Sequence, residues 1–152
     1  LGLPVAIDMG ASLPLVSAAI VGGGLVGCEL SIDLAGQGHD VTVVELGHYL
    51  AATAQISERM HIMEFMKKNN VTAMVDATVE SIEPDHLNVR TAEGLQTIEA
   101  DSFIICTGTR SLADLRDSFR DTAFDVINIG DCVRASDIVN AVRTGWDAGA
   151  TV

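Results

Sequence analysis

Basic residues are scarce in this chain of 152 residues, which has 9 lysines and arginines against 21 aspartates and glutamates. The resulting net charge of −12 repels a nucleic-acid backbone, so no nucleic-acid partner is predicted. This charge does not exclude a nucleotide ligand, because backbone amides at the start of a helix bind phosphate without any basic side chain. We interpret the acidic excess as a contribution to solubility.

Cysteine is also rare, and the chain contains only Cys28, Cys106 and Cys132. The number is odd, and no two of them lie close enough in sequence for a metal or redox pair, so the pattern indicates reduced thiols in a cytoplasmic protein. No metal site is predicted, because ligand-like spacing is missing among the four histidines, His39, His48, His61 and His86. No Ser/His/Asp set or carboxylate pair stands out, so no catalytic residue is predicted.

Long apolar runs are missing as well. The first 16 residues, "LGLPVAIDMGASLPLV", are interrupted by Asp8, Pro4 and Pro14 and have no basic segment before them. They therefore match neither a signal peptide nor a membrane span, and no membrane partner is predicted. Residues 1–17 are expected to form an irregular linker that arrives from a missing domain. The chain begins without methionine, and we expect it to be a piece of a longer protein.

Aromatic residues make up only 4% of a chain that is 48% hydrophobic, so small and β-branched side chains supply the core of tightly packed α/β layers. Apolar runs predict strands at 18–22, 39–45, 71–75, 102–106 and 124–129. Helices are predicted over 25–36, 55–69 and from about 136 onward, with Ile56, Met60 and Met63 on one core-facing side. The runs "TVESIEP", "HLNVR" and "LQTIEA" predict three short antiparallel strands. The predicted fold class is α/β, a Rossmann-like parallel sheet flanked by helices with an antiparallel β-meander crossover.

A glycine motif lies between the first predicted strand and the first predicted helix, with Gly22, Gly24 and Gly27 at dinucleotide spacing. The first glycine permits a tight turn, the second admits a pyrophosphate, and the third permits close helix packing. Glu45 ends the next strand, about twenty residues further on. A carboxylate at this position accepts hydrogen bonds from ribose hydroxyls and repels a 2′-phosphate. The pattern therefore favours NAD over NADP. The same residues could also form only a tight turn beside a solvated acid.

Further motifs follow in the order "VTVVE", a meander, "FIICTGTR" and "INIGDC" before a helix. Together with "GGGLVGCE" they resemble the flavoprotein pyridine-nucleotide oxidoreductases. Within these, the chain is most similar to the C-terminal part of the 2,4-dienoyl-CoA reductase and NADH:flavin oxidoreductase group. That group joins an old-yellow-enzyme-like FMN barrel and an iron–sulfur cluster to an FAD/NAD(P)H module, and trimethylamine dehydrogenase shares the architecture. The resemblance covers residues 18 to the C-terminus.

The resemblance implies a set of cofactor-binding residues. The NAD(H) pyrophosphate would be held by the loop of Gly22, Gly23, Gly24, Leu25, Val26 and Gly27. Glu45 would take the adenosine ribose and Val79 would lie near the adenine, while Gly108 would lie near the nicotinamide half. Asp131 would bind the ribityl chain of FAD, towards which the final helix would direct its N-terminus.

Two departures from the family pattern bear on domain organisation. Ser111 follows Arg110 where the family usually has proline, and the glycine motif that binds the ADP half of FAD is absent. The cysteine run for an iron–sulfur cluster and the FMN barrel are absent too. The resemblance therefore implies an NAD(H)-binding domain over 18–109 and the C-terminal tail of an FAD-binding domain over 110–152. The missing FAD and FMN-barrel domains are expected in the same polypeptide.

By the same resemblance, the full-length protein would pass hydride from NADH to FAD. Electrons would then travel through an iron–sulfur centre to FMN, which would reduce an activated C=C bond of the 2,4-dienoyl-CoA or enoate type. The fragment alone is expected to bind a dinucleotide without turnover. Two alternatives stay open at this point. The chain could be the NAD domain of an NADH oxidase or disulfide-reductase relative, or a non-catalytic module that binds ADP or NAD as an interdomain brace.

Overall fold

The computed structural model describes residues 16–119, 121–122 and 125–151. Two compact units, Leu1–Gly108 and Thr109–Val152, make up the chain. The predicted linker over residues 1–17 lies outside the described residues except for its last two positions. Of these, Ser17 already belongs to the first strand.

The described part of the first unit contains seven strands and two helices. The strands are β1 (Ser17–Val21), β2 (Asp40–Val44), β3 (Thr72–Met74), β4 (Thr78–Ile82), β5 (His86–Thr91), β6 (Gly94–Glu99) and β7 (Ser102–Ile105), and the helices are α1 (Leu25–Gly36) and α2 (Ile56–Lys68). Four of the strands form a parallel sheet in the order β3-β2-β1-β7. The central strand β1 pairs with β2 on one side and β7 on the other.

The remaining three strands form a separate antiparallel sheet, β4-β5-β6, inserted between β3 and β7. It takes the place that a crossover helix occupies in a regular parallel sheet. The predicted fold class, a Rossmann-like parallel sheet with helices and an antiparallel meander, is therefore confirmed. Helix α1 covers the predicted range and ends where Gly38, at φ +94°, leaves the helical conformation.

The parallel sheet is covered by different layers on its two faces. Because neighbouring strand residues point to opposite sides, Ile20 and Val43 bury against the helices whereas Ala19 and Val44 bury against the antiparallel sheet. The helix layer contributes Cys28, Ile62 and Met66, and the antiparallel sheet contributes Leu87 and Val89. Both layers meet one sheet, so the position of its strand ends is fixed from both faces.

The predicted core face of α2 is wrong for two of its three residues. Ile56 is 82% exposed and Met60 is 68% exposed, while Met63 is partly buried against the helix-side core. The buried residues of α2 are Ile62 and Met66, which are also four positions apart. The helix thus has two apolar stripes, and spacing alone does not indicate which of them packs inward.

The second unit has less regular structure. It contains 3₁₀ segments at Ala113–Phe119 and Gly130–Cys132 and the helix α3 (Ile138–Gly149). The strand predicted at 124–129 is wrong for residues 125–129, which form no strand, and residue 124 lies outside the described residues. A strand needs a neighbouring strand to pair its backbone groups, and the described part of this unit contains none.

Helix α3 begins one residue after Asp137, whose carboxylate accepts the Asn140 N–H at 2.7 Å and caps the helix. None of its described residues is buried within the chain, and one apolar side is open to solvent. Trp146 on that side is 78% exposed. Across the described ranges, no helix combines the length and apolar character needed to cross a membrane.

Ser17 and Asp101 join the starts of β1 and β7. The Asp101 carboxylate accepts hydrogen bonds from the Ser17 backbone N–H and from the Ser17 hydroxyl, at 2.8 Å each. Both bonds lower the pKa of Asp101, and the bond from the backbone N–H has the larger effect. A carboxyl group with a lowered folded-state pKa stabilises the fold above its unfolded pKa, and this stabilisation is lost as pH falls through the folded pKa.

We therefore expect Asp101→Asn to reduce the loss of stability as pH falls below about 4, measured as the shift of the urea midpoint. Asp40→Asn, at the exposed start of β2, is the matched control and should retain the wild-type acid dependence. An acid dependence in Asp101→Asn equal to that of the wild type would contradict this account.

Candidate functional site

The turn between β1 and α1 is built from glycines that the surrounding backbone requires. Gly22 adopts φ +107°, and its N–H donates to the Val44 carbonyl at 2.8 Å. A Cβ atom at Gly22 would lie 2.4 Å from the Cys106 carbonyl oxygen, and one at Gly27 would lie 2.0 Å from the Gly22 carbonyl oxygen. These two glycines therefore allow the turn and the close approach of α1 to the strand.

Gly24 differs from the other glycines of the motif. Its φ of −66° is accessible to any residue, and apart from Gly24 and its two chain neighbours, no atom of the described residues lies within 4 Å of the Cβ that a side chain would add. Among the residues that the structure describes, neither backbone conformation nor packing requires glycine at this position. A glycine that leaves open space beside a helix start is what the close approach of a bound group requires.

The N-terminus of α1 is free to face an anion. Gly24 is the N-cap, no side chain caps the helix there, and its first turn has no acidic residue. The first amides of a helix have no intrahelical acceptor, and the helix dipole favours negative charge beside them. Leu25 packs against the helix-side core, whereas Val26 is 67% exposed. This end of α1 can therefore hold a phosphate group through backbone amides.

Glu45 follows β2 directly and lies half-buried beside the glycine turn. Its Oε2 atom accepts the Gly23 N–H at 2.6 Å, and its Oε1 atom accepts the Gly47 N–H at 2.6 Å. The carboxylate thus connects the glycine turn to the loop that leads into α2. This contact with the protein itself was not predicted from the sequence, which indicated only a ribose partner for Glu45.

A cleft of about 470 Å³ opens at the carboxyl ends of the parallel strands. It is lined by five of the ten predicted site residues, Gly22, Gly24, Glu45, Val79 and Gly108. The volume is in the range of small-molecule sites. A wider depression of about 720 Å³ follows α1 and α2, but its lining includes none of the predicted site residues.

The other predicted residues lie elsewhere. Gly23, Leu25, Val26 and Gly27 belong to the same turn and helix start without lining the cleft. Asp131 belongs to the second unit, where its carboxylate accepts the Ser136 N–H at 3.2 Å. The role assigned to Asp131 stays a prediction.

Several lining residues were missed by the sequence reasoning. These are Val21, Val44, Leu46, Ala77, Thr78, Cys106 and Thr107. Val21, Val44, Leu46, Cys106 and Thr107 lie at or just after the carboxyl ends of β1, β2 and β7, where open α/β sheets bind ligands, so that rule could have indicated them. Ala77 and Thr78 lie at the start of β4 in the antiparallel sheet, and this rule does not indicate them. Burial raises the pKa of the Cys106 thiol, which keeps it protonated at neutral pH and unsuited to act as a nucleophile.

The residues present fit a dinucleotide better than a metal ion. The cleft combines open space at Gly24, an uncapped helix start and a carboxylate at the end of β2. Within the described parts of the chain, no group of three or more histidine, cysteine, aspartate or glutamate side chains could hold a metal ion.

Comparisons with known proteins find related sequences and structures over most of the chain. A family profile for pyridine nucleotide-disulphide oxidoreductases matches residues 8–126. The chain is 32% identical to the bilirubin reductase of Mediterraneibacter gnavus, over 88% of the chain and 21% of that enzyme. It is 31% identical to the NADH oxidase of Thermoanaerobacter brockii, over 84% of the chain and 20% of that enzyme. The chain thus spans about a fifth of the length of the curated relatives it matches.

Among solved structures, a 2-naphthoyl-CoA reductase in complex with 2-naphthoyl-CoA superposes with a TM-score of 0.82 at 27% identity. The match covers 90% of this chain and 21% of that one. The fold described above is therefore shared with one segment of a larger reductase.

Proposed function

This chain belongs to the pyridine nucleotide-disulphide oxidoreductase family, and we propose that it is the NAD(H)-binding part of a flavin-dependent oxidoreductase. Membership of the family confirms the resemblance to FAD/NAD(P)H-dependent oxidoreductases that the sequence indicated. The observation that carries the proposal is the open space at Gly24, at the mouth of a cleft bounded by a free helix start and Glu45. In this proposal residues 18–109 form the NAD(H)-binding domain and residues 110–152 the tail of the FAD-binding domain.

Each part of the cleft has a proposed role. Backbone amides at Gly24, Leu25 and Val26 hold the pyrophosphate, with Gly22, Gly23 and Gly27 shaping the turn. Glu45 accepts the hydroxyls of the adenosine ribose, Val79 contacts the adenine, and Gly108 gives the nicotinamide half access to the strand end. When bound, the nicotinamide supplies a hydride for transfer to a flavin. The protein's part is to orient the dinucleotide and to keep its pyrophosphate beside the uncapped helix start.

The whole protein's activity is part of the proposal. The bilirubin reductase and 2-naphthoyl-CoA reductase relatives, each with an organic acceptor in its name, support reduction of an activated C=C bond. FAD would bind with the help of Asp131, and FMN and an iron–sulfur cluster would lie outside this chain. The NADH oxidase relative supports a second candidate, in which electrons pass to oxygen. Oxygen consumption and enoate reduction, measured with NADH on the full-length protein, distinguish the two.

Calorimetric titration of the chain with NADH, NADPH and FAD tests the site. We expect NADH to bind about ten-fold or more tightly than NADPH, because the Glu45 carboxylate repels a 2′-phosphate. In Glu45→Ala the affinity for NADH should fall and the preference for NADH should largely disappear. Glu93→Ala, in the exposed β5–β6 turn, removes an acidic side chain elsewhere and should change neither value.

Absence of NADH binding both in this chain and in the full-length protein would contradict the proposal and leave the glycine loop as a turn only. Absence in the chain with binding in the full-length protein would place part of the site on the missing FAD half. Binding that prefers NADPH would overturn the role given to Glu45.

A further inference from the structure

We infer that Glu45 is a positioning residue that fixes the conformation of the glycine turn, in addition to its proposed contact with ribose. The inference rests on the proposed function and deepens it. Its basis is the pair of hydrogen bonds that the carboxylate accepts, from Gly23 N–H at Oε2 and from Gly47 N–H at Oε1, both at 2.6 Å. One side chain thereby connects the glycine turn to the segment after β2, and both contribute residues to the lining of the cleft.

The Gly23 peptide is held on both sides by neighbouring segments. Its N–H donates to Glu45, while its carbonyl oxygen accepts the Ala51 N–H at 2.7 Å and the Cys28 thiol at 3.3 Å. A Cβ atom at Gly23 would lie 2.3 Å from the Leu50 Cδ2 atom and 2.9 Å from the Glu45 Cβ atom. The turn therefore takes its shape from the segment after β2, and Glu45 supplies the charged contact between them.

The carboxylate has enough acceptor capacity for both tasks. An ionised carboxylate offers about four lone-pair sites, and the two backbone N–H groups use two of them. Two sites are left for the two hydroxyls of a ribose. Glutamine at this position would place an NH₂ group against one of the two backbone N–H groups, donor against donor. Glu45→Gln therefore tests the bridge with little change in side-chain shape.

A ligand that has the phosphates but lacks the ribose hydroxyls distinguishes the two roles of Glu45, because it can respond only to the shape of the turn. We would measure the binding of ADP and of 2′,3′-dideoxy-ADP to the wild-type chain, to Glu45→Gln and to Glu93→Gln. The last variant makes the same chemical change in the exposed β5–β6 turn. If Glu45 holds the turn, Glu45→Gln should weaken both ligands by about ten-fold. Loss confined to ADP, with dideoxy-ADP bound as by the wild type, would overturn the inference.

A second measurement needs no ligand. Failure of ADP to bind would count against the proposed function alone, and this measurement would still test the role of Glu45. In ¹⁵N–¹H spectra of the wild-type chain, the Gly23 and Gly47 amide protons should lie downfield and exchange with solvent at least about ten-fold more slowly than in an unfolded chain. Both resonances should move upfield in Glu45→Gln and stay in place in Glu93→Gln. Coil-like exchange of both amides in the wild type would overturn the inference, whether or not the variant folds.

Discussion

Gly27→Ala is expected to destabilise the first unit severely, by about 3 kcal/mol or more. The added methyl group would lie 2.0 Å from the Gly22 carbonyl oxygen, which is backbone and cannot rotate away as a side chain would. Relief would require α1 to move off the strand, which would expose its own fully buried residues Cys28 and Ser31. Urea denaturation followed by circular dichroism measures the loss. A midpoint equal to that of the wild type would contradict the close packing described here.

Gly24→Ala should give the opposite result, an intact fold that binds a nucleotide more weakly. The methyl group enters open space and the φ of −66° suits alanine, so stability should change by no more than about 1 kcal/mol. The affinity for NADH should fall by about ten-fold or more, because the methyl group occupies the space proposed for the pyrophosphate.

Gly36→Ala, at the far end of α1, is the matched control because its added methyl group also enters open space. It should leave both stability and affinity close to the wild-type values. Wild-type affinity in Gly24→Ala would mean that no phosphate approaches this turn.

Met66→Ala and Met60→Ala form the second pair with a large expected difference. Both residues lie on α2 and gain the same helix propensity on substitution, but Met66 is 3% exposed and Met60 is 68% exposed. We expect Met66→Ala to lower the free energy of unfolding by about 2–5 kcal/mol, because it leaves a cavity in the helix-side core. Met60→Ala should stay within about 0.5 kcal/mol of the wild type.

Chemical denaturation of the two variants measures this difference directly. A larger destabilisation by Met60→Ala than by Met66→Ala would mean that α2 packs inward through the face predicted from spacing. That outcome would also displace Ile62 from the core, since it shares the buried side of the helix with Met66.

Local patterns predicted most of the first unit because its elements are specified by nearby residues. Gly36 and Gly38 ended α1 as expected, and Asn69 and Asn70 stand at the end of α2, where Asn70 adopts φ +58°. The glycine motif and Glu45 each follow a parallel strand, and the carboxyl ends of parallel strands lie at the same edge of the sheet. The sequence could also predict the antiparallel insertion, since its turns lie between short alternating runs.

The errors arise where structure depends on distant partners. Residues 125–129 have an apolar, strand-like composition, but their backbone finds no neighbouring strand among the described residues of the second unit. The inward side of α2 is set by its contacts with α1 and the sheet, and local spacing does not contain them. The bridge from Glu45 to Gly23 and Gly47 depends on two turns that come together only after β1 and β2 have paired.

The insertion of the antiparallel sheet also has a consequence for the order of folding. Ser17 and Asp101, which join the starts of β1 and β7, are separated by 84 residues, whereas β4, β5 and β6 pair through short turns. Closing a long loop costs entropy, so we expect the local pairs to form first and the β1–β7 pair to form late. Gly108 follows β7, and we therefore expect the cleft to be completed only after β7 has paired. Any ligand that binds there acts on the final closing equilibrium and draws the chain towards the native state.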